Sequence, residues 1–377
     1  MGRDDANFQR QALTDWWCSR MPALISHARE LHRMGPANND HLSAVRVALS
    51  VAVPGLFLIL IGRPDLMMYA VFGALTGMYG RNETHQLRLK HQAQAALFLV
   101  GGLTIGVFLS VNHIQSWWLV LVATFFAGAG SLYADAVRLR PIGPFFGILA
   151  LGACASVPTS VPFTTAVLIG VASAAFSLAV GFSGWFRRRT WVSGAGRDVP
   201  VLRGPQRQAA LVHAARYSLA VGVAGAIGVL SGSGHPHWAM AAAAVPLAGA
   251  DLPSRVHRGI HRIVGTFLGL GIVAVVLFPS PLSPLQYFPG QTAVVLAVLV
   301  VLCQFPTELF MSRHYGWAMV FFTPVVLLIA QLAAPMDPGV LVMERAIETF
   351  VGAVVGIAVA VLVRAPRGWA AHNRISS

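Results

Sequence analysis

Read along its length, the chain alternates long apolar runs with short polar links. Twelve runs stand out, near 43–61, 66–80, 93–111, 116–134, 142–157, 162–182, 211–232, 236–250, 260–278, 290–304, 315–334 and 343–363. A bilayer core demands about 20 apolar helical residues per crossing. Runs near that length, rather than apolar positions scattered along the chain, are what lipid requires. The pattern therefore predicts an all-α membrane protein of about 12 transmembrane helices.

The links are short except for 183–210. That stretch carries Arg187, Arg188, Arg189, Arg197, Arg203 and Arg207 with Gly194, Gly196, Pro200 and Gly204, and reads as a flexible basic linker between two halves. Orientation follows from the Lys and Arg in alternate links. The set containing both chain ends and the central linker holds twenty-three; the opposite set holds one, Arg63; Arg46, Arg216 and Arg345 fall inside runs or at their edges. Both ends are thus expected in the cytoplasm, and an even number of spans is expected because one misplaced span would scramble the alternation. The expected organisation is a cytoplasmic or interfacial segment at 1–42, a first membrane half at 43–182, the linker at 183–210, a second half at 211–364 and a cytoplasmic tail at 365–377. Trp16 and Trp17 beside Arg10 and Arg20 suit either a helix in the headgroup region or a cytosolic cap. The first apolar run is read as a true span, not a cleaved leader.

Slid along itself, the chain shows a weak repeat. At an offset of 170, Arg46 meets Arg216, Arg88 meets Arg258, His91 meets His261 and Gly101 meets Gly271; at 180, Pro144 meets Pro324 and Pro158 meets Pro338. The change of offset falls where the link 279–290 is longer than its counterpart. Six spans is an even number, so the halves are read as parallel six-helix repeats about an axis along the membrane normal, with any substrate site where they meet.

Composition sharpens this picture. Only 11% of residues are charged, too few to cover a water-facing surface on a chain of 377 residues. The net charge of +13 does not mark a nucleic-acid protein, because the basic residues sit in links and form no patch. Cys18, Cys154 and Cys303 are far apart and read as small apolar core residues. No GxSxG, Walker loop or HExxH is present, so neither enzyme chemistry nor a resident metal or cofactor is expected.

Candidate chemistry lies in matched breaks and intramembrane charges. The runs 66–80 and 236–250 are each about fifteen residues, roughly 22 Å of helix. The second holds Pro246; the first holds Gly73, Gly77 and Gly80. Pro144 and Pro324 add a second pair of expected kinks. Such helices either expose backbone groups to a substrate path or bury their ends in protein. Arg46 and Arg216 either snorkel to the headgroups or point inward toward a carboxylate. Arg345 and Glu348 share a helix face, so Glu348 is either a proton carrier or half of a structural ion pair. Gly102 and Gly106, Gly265 and Gly269, and Gly352 and Gly356 have the spacing of close helix packing.

The run Arg262-Ile263-Val264-Gly265-Thr266-Phe267-Leu268-Gly269 resembles the R-[IL]-x-G-T-x-x-G signature of the fusaric acid resistance family. Tyr315-Gly316-Trp317 leading to Phe322-Thr323-Pro324, and Arg345-Ala346-Ile347-Glu348-Thr349-Phe350-Val351-Gly352, resemble further segments of that family. The likeness covers roughly 235–363; in the first half Gln92 and Gln94-Ala95-Ala96 stand where Arg and Gly-Thr would be. The resemblance implies two six-helix units and outward transport of small organic anions, often aromatic carboxylates; one Lys beside twenty-six Arg, with abundant Ala and Gly, points to a GC-rich bacterial source and so to a bacterial plasma membrane. By motif position it carries over Arg262, Thr266, Arg345 and Thr349. The expected function is a proton-coupled efflux transporter, with a passive anion channel or a non-transporting scaffold as alternatives. The expected partners are lipid, a small organic anion and, at most, further copies of the chain.

Overall fold

The computed structural model describes residues 32, 34–36, 40–81, 83–114, 116–159, 161–183 and 204–363. The chain divides into two units, Met1–Asn38 and Asn39–Ser377, and the account that follows concerns the second. The expected interfacial segment, most of the basic linker and the tail lie outside the described residues, as does Cys18.

Every long element among the described residues is an α-helix. They are α1 (Asp40–Leu60), α2 (Met67–Ala74), α3 (His85–Val111), α4 (Ser116–Val137), α5 (Phe145–Ser156), α6 (Phe163–Phe182), α7 (Pro205–Leu230), α8 (His237–Leu247), α9 (Leu252–Leu277), α10 (Thr292–Met311), α11 (Tyr315–Ala333) and α12 (Pro338–Leu362). Nine of these, all but α2, α5 and α8, are long and apolar enough to cross a bilayer. Single 3-10 turns at Pro64–Leu66 and Leu75–Met78 extend α2 at both ends.

The short helices are short because they sit in protein rather than lipid. Every residue of α2 and α8 is buried, as are the first ten of α5. α11 is the long helix most enclosed by its neighbours. These four form the middle of the unit, α2 against α11 and α5 against α8. The other helices keep one apolar face outward, with Leu97, Phe125, Leu168 and Leu230 exposed, as lipid-facing surfaces require. A helix that stops within the membrane leaves carbonyls without partners. Here side chains supply them. Arg88 Nε donates to Gly80 O at 3.1 Å beyond α2, and Arg255 Nε donates to Gly249 O at 3.0 Å beyond α8. Gln92 Nε2 adds bonds to Gly77 O and Tyr79 O, each 3.3 Å. Arg255, not Arg258, thus plays the part of Arg88.

Small residues let the helices close on each other. Each glycine of the three spaced pairs faces a backbone carbonyl: Gly102 and Gly106 of α3 meet Gly147 and Leu151 of α5, Gly265 and Gly269 of α9 meet Gly316 and Val320 of α11, and Gly352 and Gly356 of α12 meet Ala239 and Ala243 of α8. Between helices in lipid, such contact supplies much of the association energy.

The packing pairs recur when α1–α6 is exchanged for α7–α12. α3 packs on α5 and α6, as α9 packs on α11 and α12; α2 packs on α6 and α1, as α8 packs on α12 and α7; α4 packs on α7, as α10 packs on α1. Side-chain ties fix which helix ends lie together. At one end, Arg46 reaches Arg81 O, Arg88 reaches Gly181 O, His213 meets Asp135, and Arg216 meets Val363 O. At the other, Ser110 reaches Val157 O, Ser156 meets His237, and His235 meets Glu344. The first end, where α1 begins and α12 finishes, is called the near end below.

Candidate functional site

Two arginines lie wholly inside the unit. Arg262 on α9 and Arg345 on α12 are each 0% exposed. Arg262, near the start of the apolar run 260–278, stands about 15 Å along α9 from its start. Its guanidinium lies 5.2 Å from the Phe145 ring centre on α5, and its Nη1 donates to the thioether of Met319 at 2.9 Å. Nε and Nη2 find no acceptor in the protein. Arg345 is more exposed chemically still: none of its three nitrogens has a hydrogen-bond partner, and its guanidinium lies 5.3 Å from the Trp238 ring centre on α8. The two guanidinium groups are close enough to repel each other. A thioether is a weak acceptor and a ring face a weak counter-charge. Buried cations so poorly matched by protein mark this as a candidate anion site.

The threonines follow by spacing. Thr266 and Thr349 stand four residues after Arg262 and Arg345, one helical turn along on the same face. Both are fully buried, and neither hydroxyl has a partner. α9 runs away from the near end and α12 runs back toward it, so the two hydroxyls fall between the two guanidinium groups in depth. Phe145, Phe146 and Phe322 form an aromatic cluster beside Arg262, with ring centres 4.8 to 6.3 Å apart. Tyr315 lies beside Arg262 at the start of α11. The set draws on both halves, since Phe145 and Phe146 come from α5. In the first half the buried positions of α3 and α6 include Ala95, Leu99, Leu103 and Ala166, and the buried cation of α3, Arg88, is taken up by the carbonyls of Gly80, Glu83 and Gly181. The arrangement offers donors, positive charge and ring faces together, which is what a small anion with an apolar body needs.

Toward the far end a cavity of about 30 Å³ is lined by Met68, Phe72, Ser156, His237, Trp238 and Met336, among others. His235 stacks on Trp238 with ring centres 4.4 Å apart and holds Glu344 at 2.6 Å. Trp238 thus borders this cavity and also lies against Arg345.

The other expected site residues lie elsewhere. Arg216 is buried, but its Nε donates 2.7 Å to Val363 O at the end of α12, and its Nη2 donates to the same oxygen. Arg46, half-buried, donates to Arg81 O at 3.1 Å. Both are at the near end, away from Arg345. Glu348, 2% exposed, lies one turn from Arg345 on the same helix. Pro246 and Pro324 lie inside α8 and α11, whereas Pro144 is the N-cap of α5 and starts a helix instead of bending one. Two groups escaped the sequence reading. Trp238 carries no sequence feature that separates it from the other aromatics at run ends, and Glu308 falls in a link because the apolar run 290–304 stops before Pro306. In the structure α10 continues through Pro306, and Glu308 is fully buried and paired with Arg81. A lone carboxylate four residues past an apolar run was the available signal. Among the described residues, no group of three or more His, Cys, Asp or Glu could hold a metal ion.

Outside the spans, Asp251 caps α9. Its carboxylate accepts from Ser254 N at 2.9 Å, and that hydrogen bonding holds the carboxyl below the usual carboxylate range.

Fold and site together define a multi-pass membrane protein with a buried cationic centre. Residues 221–359, which contain both arginines and both threonines, match the family model described as fusaric acid resistance protein-like. A stretch of 148 residues is 24% identical to an uncharacterised membrane protein, YvaC, of Bacillus subtilis (strain 168), covering 39% of this chain and 22% of that protein. The chain therefore spans about a fifth of that relative's length. No solved structure matches.

Proposed function

We propose that the protein is a secondary transporter that moves small organic anions, aromatic carboxylates above all, outward across a bacterial plasma membrane under a proton gradient. The observation that carries this is Arg345, a fully buried cation with three nitrogens lacking any acceptor in the protein. A carboxylate would take its donors in forked geometry, Thr266 and Thr349 would add hydroxyl bonds, and Phe145, Phe146 and Phe322 would cover an aromatic body. The family description names resistance to fusaric acid, itself an aromatic carboxylate, and this fits the same chemistry.

The recurring packing pairs support two parallel six-helix halves. The arginines gathered at the near end, against Arg63 paired with Asp65 at the other, support a cytoplasmic near end. Enclosed arginines behind Trp238 and a water-sized cavity fit an occluded carrier better than an open pore. The test is flux in proteoliposomes. Purified protein should move a labelled aromatic carboxylate such as benzoate faster with an opposing pH gradient than without. Flux indifferent to the gradient, with single-channel currents, would replace the carrier by a channel; no flux for any aromatic acid would remove the reading.

A further inference from the structure

The near end holds a second buried charge pair that the anion site does not use. Glu308 on α10 is 0% exposed and bonds to Arg81, which follows α2 and is 13% exposed. Arg81 also donates to Glu308 O at 2.7 Å, and Arg46 of α1 donates to Arg81 O. The pair therefore ties α10 of the second half to the end of the short helix α2 in the first. The exchanged halves carry a counterpart: Asp135 on α4 meets His213 Nδ1 at 3.0 Å, and His213 Nε2 contacts Leu247 O at the end of α8 at 3.3 Å. Each fourth helix thus holds the end of the other half's short helix through a carboxylate. The counterparts differ in one respect that matters: the Asp135 side chain is 22% exposed, while Glu308 is sealed.

Glu308 is also incompletely satisfied. Its Oε1 has no partner, Arg81 keeps Nε and Nη1 without acceptors, and Gln304, one turn earlier on α10 and fully buried, has neither amide atom bonded. The elements packed on α10 are α11, α1 and the turns Pro64–Leu66 and Pro284–Tyr287. Their titratable or charged groups are Tyr315 on α11, Asp40, His41 and Arg46 on α1, and Asp65 and Tyr287 on the turns; α10 itself adds Cys303. Asp40 is held by Ser312 and Arg313, Arg46 faces the Arg81 carbonyl, and Asp65 is held by Arg63. Arg81 is the charge that meets the Glu308 carboxylate.

We propose that Glu308 is a proton-binding site whose carboxylate exchanges Arg81 for a proton, so that proton uptake loosens the tie between α10 and the end of α2 to the bond from Arg81 to Glu308 O. This rests on the coupled-transport reading above. One proton adds to a carboxylate oxygen and later leaves it; Arg81 stays a guanidinium cation throughout, because Arg does not lose its proton in proteins. Releasing it leaves the more exposed Asp135–His213 pair as the carboxylate tie that still holds a short helix's end.

The test compares Glu308→Gln with Glu348→Gln, using benzoate in proteoliposomes and infrared difference spectra of the purified proteins between neutral and acid pH. Glu308→Gln should lose accumulation driven by a pH gradient, retain benzoate-for-benzoate exchange, and lack a protonated-carboxyl band that the parent protein develops on acidification. Gradient-driven accumulation like the parent's, or a band that persists in Glu308→Gln, would overturn the proposal. So would the same loss appearing in Glu348→Gln alone. If no form moves benzoate, the transport reading has failed, and the band decides by itself: its loss in Glu308→Gln upholds the proton site and its persistence rejects it. Should Glu308→Gln fail to fold, the double variant Arg81→Gln/Glu308→Gln, which leaves no unpaired buried charge, is read by the same criteria.

Discussion

At the residue scale, Arg345 sets function against stability. A buried cation without an acceptor carries a desolvation cost that a ring face only partly offsets. Replacing it with Met keeps similar length and removes the charge. Arg345→Met is expected to stabilise the ligand-free protein by about 1–3 kcal/mol, on the precedent that buried charges often yield to apolar residues, and to abolish anion-dependent stabilisation. Thermal unfolding in detergent, with and without benzoate, checks both halves of that statement. Asp251 belongs to the same scale. Loss of its cap in Asp251→Ala should cost about 1 kcal/mol. Its folded pKa lies below the unfolded value of about 3.9, so the folded state binds fewer protons. The contribution is complete above that value and fades as pH falls through the folded pKa. A melting series from neutral to acid pH should therefore show parent and variant converging at the acid end.

The sequence exposed much of this site but not its assembly. Arg262, Thr266, Arg345 and Thr349 could be picked out because motif and helical spacing both mark them. Arg46 and Arg216 were equally conspicuous as intramembrane charges, yet they bond backbone carbonyls at the near end. A charge inside an apolar run reveals its depth and not its direction, which depends on how neighbouring helices pack. Trp238 and Phe145 could not be distinguished from other aromatics, since their partners are more than a hundred residues away.

At the element scale, the breaks have a structural explanation. The two short runs were legible because no apolar stretch of bilayer length exists at 66–80 or 236–250. What ends them safely was not legible: Arg88 and Arg255 fold back onto Gly80 and Gly249 carbonyls. Arg255→Leu should leave the Gly249 carbonyl buried without that donor and destabilise the protein by about 1–3 kcal/mol, seen as a lower melting temperature with anion binding retained. Glycine spacing was read correctly as close packing. The Gly352 position faces the Ala239 carbonyl, so Gly352→Leu must push α12 off α8. A cost of about 1–3 kcal/mol is expected for the overpacked seam. Because α8 carries Trp238 and α12 carries Arg345, the same change should weaken anion binding, measurable as a smaller benzoate-induced shift.

At the scale of the whole molecule, symmetry and its failure carry the account. Matching packing pairs relate the halves, and matching carboxylate ties join them at the near end. Charge is not matched: the second half holds Arg262 and Arg345, buried with nitrogens that lack acceptors, whereas the buried arginine of α3, Arg88, bonds backbone carbonyls and the positions farther along α3 and α6 include Ala95, Leu99 and Ala166. The proposed reading therefore places one anion site between unlike halves, rather than two equivalent ones. Sequence comparison along the chain found the repeat only faintly because its offset drifts, and Pro144, aligned with Pro324, proves to start a helix. Helix packing preserves a relation that residue identity has largely lost.

The central claim is that Arg262 and Arg345 receive a small organic anion inside the membrane. Thermal stabilisation of the purified protein across aromatic and aliphatic carboxylates tests it most directly, with Arg345→Met, Arg216→Ala and the exposed Arg138→Gln run beside the parent. The account expects at least one aromatic acid to raise the melting temperature of the parent, Arg216→Ala and Arg138→Gln, and to leave Arg345→Met unmoved. A shift that survives in Arg345→Met but disappears in Arg216→Ala would place the anion at the near end and contradict it.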